Sequence, residues 1–204
     1  MPVITRYGAL PVSPSVDLIL HRLGYKRSGG PPPGDVMDSI RRYIDRLNVR
    51  GAFLRVPILK LRPPEVTLAD GARFSSAGLS ELLVHSIEIA FMASTIPEAP
   101  GMVAEQFAAG AADQAVILDA VAAQCTDAGL DAILALQGAL LRSRGLRFTR
   151  RRYSPGYGDV PLSFQKLIFD RLELASIGLS LHPESYMLSP EKSVLAVAGV
   201  IKIG

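Results

Sequence analysis

The stretch from Arg152 to Pro161 constrains the fold of this chain most strongly, because neither a helix nor a strand can run through it. Pro155 fixes its own φ and lacks an amide donor, whereas Gly156 and Gly158 can adopt the positive φ that other residues avoid. A run of arginines precedes the stretch and an amphipathic pattern follows it. The sequence therefore predicts a strand, a tight loop and then a helix.

The same loop carries side chains suited to a ligand. Arg152 offers a planar guanidinium fork that fits a carboxylate or a phosphate, and Tyr153 and Tyr157 offer rings for a planar or cationic group. Glycine at positions 156 and 158 leaves backbone N–H groups open to close approach. A solvated strand-to-helix turn has the same composition, so the pattern alone leaves both interpretations open.

Composition limits the classes of protein that the chain can belong to. Its 204 residues, 49% hydrophobic and 20% charged, suffice for one sizeable core and are few for two, so we predict a single domain over residues 1–204. No stretch of about 18 apolar residues and no signal-peptide pattern occurs, so we expect a cytoplasmic protein without a membrane partner. The lone Cys125 cannot form an internal disulfide, and the scattered His21, His85 and His182 give no metal-ligand spacing.

A cluster of arginines precedes the loop and raises the possibility of nucleic-acid binding, in which cations neutralise phosphates and aromatic rings stack on bases. Its members are Arg142, Arg144, Arg147, Arg150, Arg151 and Arg152. In an extended strand Arg150 and Arg152 point to one side and Arg151 to the other, so these side chains do not form one continuous patch. The sequence favours other functions over nucleic-acid binding.

The first half of the chain alternates helical and strand patterns. A helix is predicted from Ser13-Pro14 to Gly24, and a second from Asp35, whose carboxylate can cap the helix, to Leu47. Between them, residues 28–34 contain three prolines and predict a surface loop. Strands follow over residues 52–61, 65–68 and 73–75, with a hairpin turn at Asp70-Gly71. A short helix is predicted for residues 77–84 and a strand for residues 86–94.

The second half begins with an Ala- and Leu-rich region at residues 100–141. Its spacing predicts two long helices that are broken near Thr126 to Gly129. A strand over residues 146–153, a helix over 163–174 and strands near 178–181, 186–188 and 194–203 follow. The predicted fold class is α+β, a mostly antiparallel twisted sheet packed with helices.

Two patterns resemble catalytic groups without forming a catalytic site. Ser189 and Lys192 match Ser-x-x-Lys, but a proline follows the serine directly and the partner motifs Ser-Asp-Asn and Lys-Thr-Gly are absent. Asp170 and Glu173 lie one helical turn apart beside Arg171, the usual arrangement of a solvated charged face. We therefore expect no complete active site in this chain, and whether it acts as an enzyme is left open.

Five short blocks in the second half resemble, in order and spacing, the S-adenosylmethionine-binding activation domain of cobalamin-dependent methionine synthase, in its free-standing form. They lie within residues 152–199, at residues 152–158, 161–166, 177–181, 184–187 and 190–194. Weaker similarity extends to residues 18–25 and 117–120.

The resemblance implies a function. It implies an α+β domain that binds S-adenosylmethionine and supports reductive remethylation of cob(II)alamin. The cobalamin would reach this chain only through a partner, a separate cobalamin-dependent methionine synthase or another corrinoid protein. A flavodoxin-like or ferredoxin reductant is a further implied partner. Positioning the methyl donor would be the contribution of this chain.

The resemblance also assigns residues. Arg152 would bind the methionyl carboxylate, and Tyr157 would form a wall of the pocket near the sulfonium or the adenosine. The edge that approaches the ligand closely would be formed by Gly156, Gly158 and the backbone of Asp159.

Two further candidates, Glu184 and Tyr186, lie in a matching block, although either side chain could instead shape its strand. Activation domains that are fused to the synthase continue into a His-Pro segment with paired aromatic residues, and they use upstream acidic residues to meet the amino group of the ligand. Neither feature has a recognisable counterpart in this sequence. A second interpretation therefore stays open, a scaffold or subunit of a corrinoid protein that no longer binds S-adenosylmethionine.

Overall fold

The computed structural model describes residues 3–25 and 32–203, so most of the loop predicted at residues 28–34 lies outside the described residues. The α-helices are α1 (Val16–Arg22), α2 (Gly34–Arg46), α3 (Ala77–Leu83), α4 (Ala99–Ala108), α5 (Ala112–Arg142) and α6 (Phe164–Leu172). The strands are β1 (Thr5–Tyr7), β2 (Arg50–Arg62), β3 (Glu65–Leu68), β4 (Arg73–Ser75), β5 (Glu88–Thr95), β6 (Leu146–Phe148), β7 (Ser180–Leu181), β8 (Leu188–Ser189) and β9 (Ser193–Lys202).

A curled antiparallel sheet forms the centre of the molecule. Its strands follow the order β4-β3-β2-β5-β9-β6, and β1 adds to the first half of β2. The long pairing of β5 with β9 joins residues 88–95 to residues 193–200. A separate hairpin joins β7 to β8. The predicted α+β class is confirmed.

Helices cover both faces of the sheet, so the central strands are apolar on both sides. Ala90 and Met92 of β5 join a cluster with α1, α2, α4 and α5, which we call the α5 face. Ile89 and Phe91 join a cluster with α3 and α6, which we call the α6 face. This double burial explains why β5 is a continuous apolar run, and why its one charged residue, Glu88, lies at the strand start in an ion pair with Arg55.

The long helical region divides at a different place from the one predicted. The break falls at Gly110, with φ +75°, between α4 and α5, and the prediction of a break near Thr126 to Gly129 was wrong. Thr126 lies inside the helix, where its hydroxyl donates to the Ala122 carbonyl at 2.8 Å, a contact that satisfies the hydroxyl without stabilising the helix. Gly129 allows close packing, since a Cβ there would collide with the Ser94 hydroxyl and lie 2.8 Å from a Val49 methyl.

The strand predicted over residues 146–153 is shorter in the structure. Strand β6 ends at Phe148, because Thr149 then bonds to β9 partly through its side chain, which accepts from the Gly199 N–H at 3.0 Å. The chain pairs with β9 again only at Tyr153, which forms a single antiparallel bridge with Val197. The intervening residues are not a strand, so the alternation that we predicted for Arg150 to Arg152 does not apply to them.

The predicted hairpin is confirmed, and two predicted helix caps are not. Gly71 has φ +87°, and the Asp70 carboxylate accepts from the Ala72 N–H at 3.1 Å, in the turn between β3 and β4. Helix α1 is capped by Ser15 rather than by the Ser13-Pro14 pair. Asp35 lies inside the first turn of α2 and does not cap it with its side chain.

Candidate functional site

The loop from Arg152 to Pro161 closes on itself. Gly156 and Gly158 have φ +92° and +61°, so both adopt the positive φ that the sequence allows. The Gly156 N–H donates to the Val160 carbonyl at 2.9 Å, and the Val160 N–H donates to the Tyr157 carbonyl at 3.2 Å. The expectation that the Gly156 amide is open to a ligand was therefore wrong, because this amide holds the loop closed.

Asp159 anchors the loop to the start of α3. Its carboxylate accepts from the Ser76 hydroxyl at 3.1 Å and from the Gly78 N–H at 3.1 and 3.2 Å. Loss of solvation alone would raise the pKa of the Asp159 carboxyl, but hydrogen bonds from Gly78 and Ser76 outweigh it and hold the pKa below its usual value. The side chain is therefore ionised at neutral pH, and it fixes the loop to α3 from an exposed position.

A cavity of about 420 Å³ lies beside this loop. Small-molecule sites commonly range from about 300 to 1,000 Å³, and the volume of this cavity lies within that range. The residues that line it are Asp127, Arg152, Tyr153, Ser154, Pro155, Tyr157, Gln165, Leu188, Ser193, Val194 and Leu195.

The cavity forms where β9 loses its outer neighbour. Beyond Val197, which pairs with Tyr153, no described strand lies on the outer side of β9. Pro155 cannot extend the pairing because it has no N–H. Since Val197 directs its backbone groups at Tyr153, alternation directs the N–H and C=O of Leu195 to the same side. One wall of the cavity is therefore an open strand edge.

Helix α5 brings the Asp127 carboxylate to the other wall and the Asp131 carboxylate to Arg152. Arg152 donates from Nη1 to Asp131, and its Nη2 lies 4.0 Å from an Asp127 oxygen. The Arg152 side chain is 27% exposed, whereas those of Asp127 and Asp131 are 53% and 68% exposed. The carboxylates therefore remain largely hydrated, and the group of three carries a net charge of −1 that can interact with a cation and an anion side by side.

Other polar groups of the cavity differ in their availability. The Ser193 hydroxyl bonds to the Thr95 hydroxyl at 2.8 Å and donates to the Pro190 carbonyl at 2.7 Å, so it is already used. Tyr157 is 72% exposed and lies at the mouth. The Gln165 side-chain oxygen is buried, and no described residue hydrogen-bonds to it. Asp127 and Asp131 are not among the predicted site residues, and Gln165 lies in the block of residues 161–166 without an assigned role.

Five of the seven predicted site residues are not among those that line the cavity, namely Gly156, Gly158, Asp159, Glu184 and Tyr186. Glu184 and Tyr186 occupy the turn between β7 and β8, where Glu184 is exposed and Tyr186 has φ +57°. The Tyr186 N–H donates to the His182 carbonyl at 3.0 Å. The structure therefore brings Arg152 and Tyr157 together at one cavity, while a ligand role for Glu184 or Tyr186 stays a prediction.

Lys192 of the Ser-x-x-Lys pattern and Asp170 of the carboxylate pair each form an ion pair. Lys192 pairs with Asp119 at 2.7 Å, and Asp170 pairs with Lys166 at 2.8 Å.

Burial raises the pKa of the Cys125 thiol to about 12, so it is not a thiolate near neutral pH. Within residues 3–25 and 32–203 no group of His, Cys, Asp and Glu is placed to hold a metal ion. In the same residues no helix is both long and apolar enough to cross a membrane.

Comparison with known proteins gives a match in structure but not in sequence. No protein-family model and no curated protein matches the chain. The fold is similar to the crystal structure of the MetH reactivation domain bound to AdoHcy, with a TM-score of 0.65. The match covers 97% of this chain and 78% of that one at 14% sequence identity. The similarity shows the fold alone.

Proposed function

We propose that this chain binds S-adenosylmethionine in the cavity beside the loop of residues 152–161. The observation that carries the proposal is the meeting of Arg152 with Asp127 at the wall of a cavity whose volume lies in the range of small-molecule sites. The structural neighbour was crystallised with AdoHcy, the demethylated form of the same ligand. The order of sequence blocks around Arg152 and Tyr157 motivated the choice of ligand, and no protein-family model matches the chain.

The residues present fit the amino-acid half of the ligand. A methionyl group carries a carboxylate and an ammonium on one carbon, so it needs a cation and an anion close together. Arg152 would bind the carboxylate, because a guanidinium has five N–H donors and Asp131 uses only part of them. Asp127 would accept from the ammonium, and it would take the place of the upstream acidic residues that the sequence analysis did not identify.

The loop would position the rest of the ligand. Tyr157 would cover the sulfonium, since an aromatic face attracts a cation. When bound, the ligand supplies a methyl group on a positively charged sulfur. The residues of this chain would bind and orient it, and the anchoring of Asp159 on α3 would keep the loop in place.

The proposal includes a partner. We infer that the chain supports reductive remethylation of cob(II)alamin on a separate cobalamin-dependent methionine synthase or corrinoid protein, with a flavodoxin-like or ferredoxin reductant. The fold similarity to a MetH domain supports this inference. Reactivation of such a synthase after oxidation should require this chain, S-adenosylmethionine and the reductant together, and the chain alone should transfer no methyl group. Reactivation at an unchanged rate without the chain would contradict the proposed partner.

A second function has an observation in its favour. The Arg152 guanidinium already pairs with Asp131, and the Gly156 amide is used within its own loop. A scaffold or subunit that keeps the fold and binds no ligand would be compatible with these contacts.

Titration separates the two functions. Calorimetry with S-adenosylmethionine and S-adenosylhomocysteine should give saturable binding, and a ligand at 100 times its Kd should add about 2.7 kcal/mol of stability in a thermal shift. Millimolar ligand that produces neither heat nor a shift in melting temperature would leave the scaffold as the function.

A further inference from the structure

Gln165 carries the strongest unexplained feature of the cavity. It lies in the first turn of α6 and lines the cavity. Its Oε1 is buried and receives no hydrogen bond from any described side chain or backbone group. A buried acceptor without a partner costs folding free energy, so proteins rarely retain one where an apolar side chain would fit.

The surrounding protein does not supply the missing donor. The nearby Ser193 hydroxyl is already bonded to Thr95 and to the Pro190 carbonyl. Arg152 is directed at the carboxylates of α5. The hydroxyls of Tyr153, Ser154 and Tyr157 also line the cavity, but none of them hydrogen-bonds to Gln165 Oε1. A molecule bound in the cavity can supply the donor that Gln165 Oε1 lacks.

The layers of the fold indicate which part of the ligand meets Gln165. Helix α5, with Asp127, packs on the α5 face of the sheet, and α6, with Gln165, packs on the other face. The cavity spans the open edge of β9 between them. If Arg152 and Asp127 hold the amino-acid half of the ligand, the nucleoside half extends toward α6.

We infer that Gln165 accepts a hydrogen bond from the nucleoside half of an S-adenosyl ligand, and that it selects for this half. The inference rests on the proposed function. The donors of that half are the 6-amino group of adenine and the 2′- and 3′-hydroxyls of the ribose. All three share the chemistry that Gln165 Oε1 requires, a donor that becomes buried on binding.

The experiment is calorimetry with S-adenosylhomocysteine and three analogues that lack the 6-amino, the 2′-hydroxyl or the 3′-hydroxyl group. Gln165→Leu should raise the Kd of S-adenosylhomocysteine about 10-fold, the effect of one buried hydrogen bond. One analogue should bind the unmodified protein about 10-fold more weakly than S-adenosylhomocysteine does. The Gln165→Leu substitution should not weaken the binding of that analogue any further. That analogue identifies the donor.

Two readouts exclude a purely structural role. The ligand-free Gln165→Leu variant should melt no lower than the unmodified protein, because the change removes an unpaired buried oxygen. Gln165→Glu keeps an oxygen acceptor at the position and should bind within a few-fold of the unmodified protein. Lys166→Ala, the matched control on the exposed side of α6, should bind unchanged.

The outcomes are distinguishable. The role of Gln165 is overturned if the unmodified protein binds S-adenosylhomocysteine and every analogue loses the same affinity, relative to it, in Gln165→Leu as in the unmodified protein. The proposed function then remains intact. A leucine variant that melts well below the unmodified protein or fails to fold overturns the role of Gln165 as well. If the unmodified protein does not bind the ligand, the proposed function fails and the role of Gln165 fails with it.

Discussion

Arg152 combines a structural contact with the proposed ligand contact in one side chain. Replacing it by alanine should weaken S-adenosylmethionine binding by roughly 1.5–3 kcal/mol, the effect of a charge-assisted hydrogen bond to a carboxylate. Folding should change little, because Asp127 and Asp131 are more than half exposed and stay hydrated without it. Arg152→Lys should recover part of the affinity, since a point charge lacks the bidentate geometry of the guanidinium. Calorimetric titration measures all three proteins.

Arg151 provides the control for that experiment. It is exposed and forms no ion pair with another described residue, so Arg151→Ala should leave the Kd unchanged. A loss equal to that of Arg152→Ala would mean that the arginines act as a diffuse positive field. Electrophoretic retardation with nucleic acid at physiological salt would then be the next measurement, because such binding weakens steeply as salt rises.

At the residue scale the sequence predicts which loop residues lie at the cavity better than it predicts the contacts that they make. Arg152 and Tyr157 line the cavity as the motif predicts, and Tyr157 lies between Gly156 and Gly158, whose positive φ forms the turn. Asp127 and Asp131 resemble a solvated helix face, and only the tertiary fold brings them to Arg152. The orphaned oxygen of Gln165 depends on every neighbouring side chain, so no local pattern reveals it.

Glycine has two different functions within helix α5, and mutation can separate them. Gly129→Ala should destabilise the protein by about 1–3 kcal/mol, because its Cβ would collide with the Ser94 hydroxyl and the Val49 methyl against the sheet. Gly138→Ala should stabilise it by up to about 1 kcal/mol, since the nearest atom to its Cβ, Nη1 of Arg142, is 3.6 Å away and alanine is the better helix former.

Chemical denaturation measures the free energy of unfolding of the two variants and so tests both predictions. The alanines share the same helix and the same chemistry, so their difference isolates the contact with the sheet. A stabilising effect of both substitutions would show that Gly129 is not tightly packed, and that the helix passes residues 126–129 for a reason other than close packing.

At the element scale most helices and strands follow from periodicity and from turn residues, whereas their ends depend on distant partners. The hairpin at Asp70-Gly71 forms through contacts within a few residues, so it could be predicted. Strand β6 ends where Thr149 bonds to Gly199, 50 residues away. A glycine inside an apolar helical pattern has the same local signature whether it ends a helix, as Gly110 does, or packs closely, as Gly129 does.

At the scale of the whole molecule the cavity is a consequence of strand order. Strands β5 and β9 are neighbours although about 100 residues separate them in sequence, as the bond between Thr95 and Ser193 shows. Because β9 extends beyond the point where Tyr153 bridges to it, its open edge lies between the helix layers of the two sheet faces. No local sequence pattern indicates which distant strands pair. The fold class could therefore be predicted from local patterns, whereas the location of the cavity, which depends on this pairing, could not.

This geometry predicts that a bound ligand couples the two helix layers. With S-adenosylhomocysteine at 100 times its Kd, amides that exchange only after the ligand leaves should exchange about 100-fold more slowly, matching about 2.7 kcal/mol. Hydrogen exchange should slow in the loop of residues 152–160, in the first turns of α6 and in α5 around Asp127 to Asp131. Amides of the β3–β4 hairpin that exchange by local opening serve as the control, because this hairpin does not line the cavity, and their rates should not change. Slowing that is confined to the loop and one of the two helices would show that the ligand occupies only one side of the sheet edge, and would contradict a site that spans both layers.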